Sequence, residues 1–417
     1  MKLNKSQISI LVGSYFLIFG LSFVLFSKVI PVNGTFLSPN SSKNNDQAEN
    51  EESNKPKIGY LQFEGPKTEL CPLTGDLYTQ EEKNIWSTRR PLTIMIENHF
   101  DSRPQSGLMY ADVVYEAVAE GGITRFMAVY YCNAAKSTGN KYDIGPVRSA
   151  RSYFVDIASE YADYPLYAHV GGANCSAETP GGPCTSHPKT QAIEQIAGYG
   201  WNNKGTWGDL SQFSLPYKVC RREPDRLGDV RATEHTMYCS TTELWNVAQS
   251  RGLTNITEVK KTSWDKNFLA WKFAKEGQPS ASPQAKKISF AFWGDAAYSV
   301  SWDYDQKTNS YLRQNGGKPH LDFSTQETVS AKNIIVQYVK ETRSVDIHKH
   351  NIYDVIGSGT GLLFQNGEVE KITWVKTTRA ARTIFKDSAG KEINLVPGIT
   401  WVEILPIGNK VDYESGQ

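Results

Sequence analysis

The sequence predicts an α/β N-terminal domain followed by a mainly β C-terminal domain, with a single N-terminal transmembrane helix. Three observations support this fold class. Strand-like and helical stretches alternate in the first half, β signals dominate from Ile288 onward, and the run from Ser6 to Ser27 carries no charge. The predicted organisation is a cytoplasmic N-terminus and signal anchor over 1–30, a flexible linker over 31–57, an N-terminal domain over 58–265 and a C-terminal domain over 285–408.

Composition excludes some classes of protein. Of the 417 residues, 39% are hydrophobic and 21% charged, which is typical of a globular protein rather than a disordered one. Because 45 basic residues are balanced by 44 acidic ones, the net charge is +1. A nucleic-acid partner bound by bulk charge is therefore not expected.

The uncharged run from Ser6 to Ser27 is long enough to cross a bilayer, at ~1.5 Å per residue. Lys2 and Lys5 precede it, which predicts a cytoplasmic N-terminus and an extracytoplasmic body. A cleaved signal peptide is the alternative, but no small-x-small site follows the run. We therefore expect a single-pass protein of the plasma membrane.

Cysteine usage agrees with an oxidising compartment, because all six cysteines follow the predicted anchor. The sequence alone does not choose between the possible pairings. A local Cys175–Cys184 bridge and a Cys220–Cys239 bridge are the most economical, and they leave Cys71 with Cys132. A zinc site is the competing interpretation, but the chain has no Cys-x-x-Cys motif.

The N-terminal domain begins with strand-like runs. Residues 92–97, 123–131 and 166–170 are rich in β-branched and aromatic residues, which favours strands. The run 111–120 is also predicted as a strand, although the spacing of its acidic residues would suit one helix face. Helices are expected over 189–199 and after Ser240, where Ser-Thr-Thr-Glu forms a capping box.

A further helix is expected after the turn at Gly145 and Pro146, because apolar residues then recur at helical spacing. It can begin with Ser149 as N-cap, or with Gly145 as N-cap and Pro146 as first residue. In either register Arg148 and Arg151 lie at or beside its first turn. Cations are unfavourable at this positive end of a helix dipole. The pattern therefore predicts an anion among these arginines.

The C-terminal domain shows the patterns of a β fold. Hydrophobic residues alternate over 300–304, and residues 333–339 form a run typical of a buried strand. Asn366-Gly367 is the signature of a hairpin turn. A final strand is predicted from Thr400.

Several motifs resemble a bacterial family of unknown function, the YerB-like lipoproteins. They are Asn98-His99, Arg103-Pro104-Gln105-Ser106-Gly107, residues 111–116, residues 120–126, residues 144–151, Gly357-Ser358-Gly359, Trp374 and residues 397–401. The resemblance implies an envelope location and two domains, without an established activity. This chain departs from the family's lipoprotein pattern, because no cysteine stands directly after its apolar segment; the helix would replace the lipid anchor.

Four arginines flank predicted strand ends or turns and are the candidate ligand-binding residues: Arg103, Arg125, Arg148 and Arg151. If they converge, they can hold a phosphate, a pyrophosphate or a carboxylate-bearing polymer. The alternative is that nearby carboxylates pair with them and form an internal ion-pair network. Glu97, Asp112 and Glu120 are the candidate catalytic acids, and the same alternative applies to them.

Three functions therefore remain open. The first is a membrane-anchored envelope protein of uncharacterised activity that binds an anionic cell-wall polymer or lipid-linked precursor. The second is an enzyme, a phosphotransferase or hydrolase of envelope glycopolymers. The third is a structural scaffold or partner-binding protein. The sequence identifies no metal site and leaves any cofactor unknown.

Overall fold

A ten-stranded mixed sheet is the largest element of the computed structural model, which describes residues 60–137, 142–275 and 279–414. The predicted signal anchor and linker lie outside these residues. Among the described helices, none is both long and apolar enough to cross a membrane. The two-domain architecture is mostly β with few helices.

The described part of the chain contains four α-helices: α1 (Gln80–Trp86), α2 (Ser152–Ala158), α3 (Ala192–Gly198) and α4 (Thr241–Ser250). Short 3-10 turns occur at Phe100–Ser102, Leu108–Tyr110, Asn133–Lys136, Pro188–Thr190, Gln212–Ser214, Thr233–His235 and Ala296–Tyr298. The strands of the first half are β1 (Glu69–Leu70), β2 (Leu77–Tyr78), β3 (Leu92–Glu97), β4 (Val113–Glu120), β5 (Ile123–Tyr130), β6 (Leu166–His169), β7 (Asp209–Ser211), β8 (Cys220–Arg222), β9 (Met237–Cys239), β10 (Ile256–Thr257), β11 (Thr262–Ser263) and β12 (Lys272–Phe273). Those of the second half are β13 (Lys287–Ala291), β14 (Ser299–Asp305), β15 (Ser310–Asn315), β16 (Lys318–Pro319), β17 (Ser330–Ala331), β18 (Asn333–Val339), β19 (Glu341–Thr342), β20 (Ile352–Tyr353), β21 (Gly357–Gln365), β22 (Glu368–Lys376), β23 (Ile384–Lys386), β24 (Asn394–Leu395), β25 (Thr400–Pro406) and β26 (Val411–Glu414).

The large sheet is built from both halves of the chain, in the order β23-β22-β21-β18-β25-β4-β5-β3-β6-β7. The junction is the parallel pair β25–β4, in which Trp401 lies opposite Val114 and Glu403 opposite Glu116. Every residue of β3 and β25 is buried, as expected for strands covered on both faces. The described residues cluster as one compact unit.

A second, six-stranded sheet belongs to the C-terminal half, with the order β16-β15-β14-β13-β26 and β17 beside β15. Its Trp302 packs edge-to-face on Trp401 of the large sheet, with ring centroids 5.3 Å apart, and Phe126 meets Trp401 at 5.4 Å. All three rings are buried. Removing one such side chain costs about 3–5 kcal/mol, so this aromatic contact stabilises the packing of the two sheets.

The predicted strands at 92–97, 111–120, 123–131 and 166–170 are confirmed as β3, β4, β5 and β6. The strand interpretation of 111–120 is correct because nearly the whole run is buried, which a helix with one polar face would not require. In the C-terminal half the predicted Asn366-Gly367 hairpin joins β21 to β22.

The predicted start of the helix after Pro146 is wrong in both registers. Helix α2 begins at Ser152, and its N-cap is Arg151. The preceding backbone hydrogen-bonds to other segments instead: the N–H of Val147 donates to Met237 and that of Arg148 to Met95. Tertiary hydrogen bonds therefore keep these residues out of the helix, so Arg148 does not lie in a helical first turn.

Three disulfides form among the described residues: Cys71–Cys132, Cys175–Cys184 and Cys220–Cys239. The Cys220–Cys239 bridge joins β8 and β9 at paired positions. These are the economical pairings expected from the spacing, and the described residues contain no free cysteine.

Candidate functional site

Five of the charged residues expected to matter meet at one end of β3, β4 and β5. Glu97 ends β3, Glu120 ends β4, and Arg125 on β5 pairs with Glu97 in the strand register. Arg148 and Arg151 reach this end on the extended segment before α2. We call Glu97, Glu120, Arg125, Arg148 and Arg151 the sheet-end cluster.

Glu120 holds two of the arginines. Its Oε1 accepts from Nη2 of Arg125 at 3.0 Å, and its Oε2 accepts from Nε of Arg151 at 3.0 Å and from Nη2 of the same side chain. Burial opposes ionisation, but the two guanidinium groups outweigh it and lower the pKa of Glu120 well below its usual range. The carboxylate is therefore charged at any physiological pH.

Glu97 holds the third arginine and a histidine. Its Oε1 accepts from Nε of Arg148 at 3.0 Å, and its Oε2 lies 2.9 Å from Nδ1 of His235. The His235 ring stacks on His99, with centroids 4.5 Å apart and planes 7° from parallel. Glu97 is buried, whereas 28% of the Arg148 side chain is exposed.

Arg103 is bound differently from the other three. It donates to Oδ1 of Asn98 at 3.1 Å, to the Asn98 carbonyl at 2.9 Å and to the Ala297 carbonyl at 2.9 Å. Its guanidinium also lies over the ring of Tyr298. Among the described residues its hydrogen-bond acceptors are therefore neutral oxygens rather than carboxylates.

The charges of the sheet-end cluster do not cancel. Three guanidinium groups share the two carboxylates of Glu97 and Glu120. The five residues of the cluster therefore carry one more positive than negative charge. An internal network accounts for most of their contacts, and outside the cluster the exposed Glu234 carboxylate interacts electrostatically with Arg148.

A cavity of about 240 Å³ opens beside Arg151. Ser149, His348 and His350 also line it. Nδ1 of His350 lies 2.9 Å from Oδ2 of Asp346, so the carboxylate orients this ring. The cavity adds a hydroxyl group and two imidazoles to the surroundings of Arg151.

Asp112, the remaining candidate acid, lies apart from the cluster. It precedes β4, whereas Glu120 ends that strand, so roughly 25 Å of strand separates them. Its carboxylate accepts the backbone N–H groups of Tyr131 at 2.5 Å and of Asn133 at 3.0 Å. Burial raises the pKa of Asp112 to about 7, although these hydrogen bonds oppose the rise. Asp112 cannot act on the same small ligand as the other two acids.

Sequence reasoning did not identify Asp101 as a site residue. Its carboxylate lies near the two stacked histidines, His99 and His235. Its position two residues after His99, in the turn that follows β3, was the available signal. Sequence reasoning also overlooked Asp346, which lies four residues before its partner His350. Both acids are therefore close in sequence to the histidines that they contact.

Comparison with known proteins gives consistent results. The model of the "Protein of unknown function (DUF3048) N-terminal domain" matches residues 73–254, and that of its C-terminal domain matches residues 288–402. The chain is 28% identical over 347 residues to the "Putative lipoprotein YerB" of Bacillus subtilis (strain 168), covering 83% of this chain and 89% of that protein. The crystal structure of YerB from Bacillus subtilis is similar with a TM-score of 0.62 and 26% identity, covering 83% of this chain and 100% of that one.

Proposed function

The chain belongs to the DUF3048 family of proteins of unknown function, and on this premise we propose that it is a membrane-anchored envelope protein that binds an anionic ligand at the sheet-end cluster. Its body is extracytoplasmic, and residues 6–27 form a single-pass anchor with the N-terminus in the cytoplasm. The three disulfides support this location, since such bonds persist in oxidising compartments. The lipoprotein name of the Bacillus subtilis relative supports membrane attachment.

The observation that carries the ligand proposal is the excess of one positive charge in the sheet-end cluster, together with the exposure of Arg148. This guanidinium donates to Glu97 through Nε. Its two terminal nitrogens have no hydrogen-bond partner among the residues described, so both remain for an incoming oxyanion. Arginine binds phosphate and carboxylate groups in two-pronged geometry. The ligand class is therefore a phosphate- or carboxylate-bearing cell-wall polymer, or a lipid-linked precursor with the same groups.

Arg125 and Arg151 have a supporting role, because both are almost fully buried. They supply the positive potential, and Arg148 makes the contact. Arg103 contributes positive charge from the neighbouring turn, since its donors are bound to neutral oxygens. A bound anion would offset the charge that Glu97 and Glu120 leave uncompensated.

The test is Arg148→Gln in the full-length chain in detergent micelles. Binding of a polyglycerol phosphate polymer would be measured by calorimetry at low salt, together with the thermal unfolding midpoint. We expect at least a tenfold weaker affinity and a small change in the midpoint, since Glu97 keeps its bond to His235. Arg343→Gln is the matched control, because Arg343 is also an exposed arginine whose Nε is bound to a glutamate, Glu341.

If Arg148→Gln lowers the midpoint by several degrees and leaves affinity equal to that of the control, the arginines form an internal network and the proposal is wrong. A protein that binds no anionic polymer in either form would support the scaffold interpretation instead.

One observation favours the enzyme alternative, a phosphotransferase or hydrolase of envelope glycopolymers. The Glu97–His235 bond fixes the ring through Nδ1, which leaves Nε2 to accept a proton, as in a general base oriented by a carboxylate. Release of phosphate-containing fragments from the polymer would distinguish an enzyme from a binder. His235→Gln should abolish that release if His235 is the base.

A further inference from the structure

Three side chains in the turn after β3 and in the loop before β9 offer metal-ligating atoms to one another. One donor atom from each of His99, Asp101 and His235 lies within 4.8 Å of the other two. His99 Nδ1 and Asp101 Oδ2 are 3.6 Å apart. A single ion of the size of Zn²⁺, bound at about 2.0–2.2 Å by nitrogen and oxygen, fits between donors at such separations after small side-chain movements.

His235 is oriented as metal-binding histidines usually are. The buried carboxylate of Glu97 holds its Nδ1 at 2.9 Å. This bond places the proton on Nδ1 and leaves the lone pair of Nε2 available. Glu97 is in turn held by Arg148, so the orienting carboxylate is itself fixed.

His99 stacks on His235 in the turn after β3. Its Nδ1 accepts the backbone N–H of Asp101 at 3.3 Å, a long hydrogen bond that a metal ion bound at Nδ1 would replace. Because the lone pairs of parallel rings do not converge, binding requires the partly exposed His99 ring to tilt away from the stack.

Asp101 is not committed to another strong partner. Arg231 lies 3.8 Å from its Oδ1 but only 2.9 Å from Asp229, so Asp229 is the closer counter-ion of that arginine. The Asp101 side chain is 43% exposed. Its carboxylate can therefore turn toward the two imidazoles at little cost.

We propose that His99, Asp101 and His235 form a binding site for a divalent first-row transition metal such as Zn²⁺. Two imidazole nitrogens and one carboxylate oxygen suit this class of ion, whereas Mg²⁺ and Ca²⁺ prefer oxygen ligands alone. Three protein ligands leave a coordination position open to water or to a ligand oxygen. Arg148 and His235 both bind Glu97, so this shared carboxylate couples the metal site to the sheet-end cluster.

The test uses the full-length chain, purified in detergent without a histidine tag, treated with chelator and dialysed into phosphate-free buffer. Co²⁺ is added while the visible absorbance is recorded, and Zn²⁺ affinity is measured by calorimetry. We expect one equivalent of bound metal, and at least tenfold weaker binding in each of His99→Gln, Asp101→Asn and His235→Gln. Glu97→Gln should weaken binding about 10–100-fold by releasing the His235 ring.

His350→Gln is the matched control, because His350 is another carboxylate-bound histidine and lies outside the three. Asp101→Asn guards against misfolding as an explanation, since 43% of this side chain is exposed. Unchanged metal affinity in Asp101→Asn and His235→Gln would overturn the proposal, as would the absence of stoichiometric binding in the unsubstituted chain. No anionic polymer is present in this test, so its outcome is independent of the function proposed above.

Discussion

Glu403 should make the protein less stable as the pH rises from 5 to 7. It lies opposite Glu116 where β25 pairs with β4, and both side chains are fully buried. Arg313 pairs with Glu116 rather than with Glu403. Burial, and next the neighbouring Glu116, raise the pKa of Glu403 well above its ordinary value. We therefore expect Glu403 to be protonated in the folded protein.

The hydrogen bonds support the same protonation state. Oε1 of Glu403 accepts from the indole N–H of Trp302 at 3.1 Å. Oε2 has no donor among the described residues, although it is buried beside Glu116. A proton on Oε2 would donate to the Glu116 carboxylate and satisfy both groups. Without that proton, two buried carboxylates would share one arginine, Arg313, which is unfavourable.

The magnitude follows from proton linkage. In the unfolded chain Glu403 ionises near the ordinary glutamate pKa of about 4.5, whereas its pKa in the folded protein is higher. Its stabilising contribution is therefore complete below about pH 4.5 and is lost as the pH rises toward the folded pKa. Each pH unit in this window changes the free energy of unfolding by about 1.4 kcal/mol. Between pH 5 and pH 7 the contribution of Glu403 therefore falls, by at most about 3 kcal/mol.

The assay is urea unfolding of the unit Pro56–Gln417 at pH 5 and pH 7, with and without Glu403→Gln. An amide cannot ionise and can donate to Glu116, so the variant should lose most of this pH-dependent change in the free energy of unfolding. Glu116→Gln is the contrasting variant, since it leaves Arg313 without its carboxylate and should cost about 3–5 kcal/mol. Equal pH dependence in the unsubstituted protein and Glu403→Gln would refute the shared-proton argument.

Three further predictions concern stability. Replacing Cys71 and Cys132 by alanine opens a loop with a sequence separation of 61 and should lower the free energy of unfolding by about 4 kcal/mol. A loss below about 1 kcal/mol in urea unfolding would contradict this expectation. Glu160→Gln should lower the free energy of unfolding by about 3–5 kcal/mol, because it leaves buried Lys376 without its carboxylate partner. Thermal unfolding close to that of the unsubstituted protein would contradict this prediction. Asp112→Asn removes one of the two oxygens that accept the backbone N–H groups of Tyr131 and Asn133, and should lower the free energy of unfolding by about 1–3 kcal/mol. The measurement is urea unfolding at pH 8, where the native carboxyl is ionised.

The strands of the fold could be predicted because their signal is local. Residues 92–97 and 333–339 read as buried strands without any tertiary information, since β-branched residues and continuous apolar runs favour that state. The hairpin at Asn366 was equally local, because its left-handed backbone favours the Asn-Gly pair. The start of α2 was not local, since the bonds from Val147 to Met237 and from Arg148 to Met95 decide it.

The sequence predicted which charged residues belong to the candidate site, but not which of them pair with each other. Arg125, Arg148 and Arg151 stood out by their positions at strand ends and turns, and Glu97 and Glu120 were the expected counter-ions. Which carboxylate holds which arginine depends on the register of three strands, and sequence patterns do not specify it. His235 reaches Glu97 from a distant loop, so this contact had no sequence signal.

By itself the sequence determined several individual strands and the β character of the C-terminal half, the economical pairs of cysteines, and the four arginines at strand ends and turns between residues 97 and 151, since these depend on composition and short-range pattern. The α/β prediction for the first half was too rich in helix, because the described chain is mostly β. Only the tertiary structure decided that β4 and β25 join the two halves in one sheet, because strand pairing is a long-range contact. The same pairing places Glu403 against Glu116. The tertiary structure also brings three arginines to two carboxylates at the end of β3, β4 and β5, since charge balance depends on which side chains meet in space.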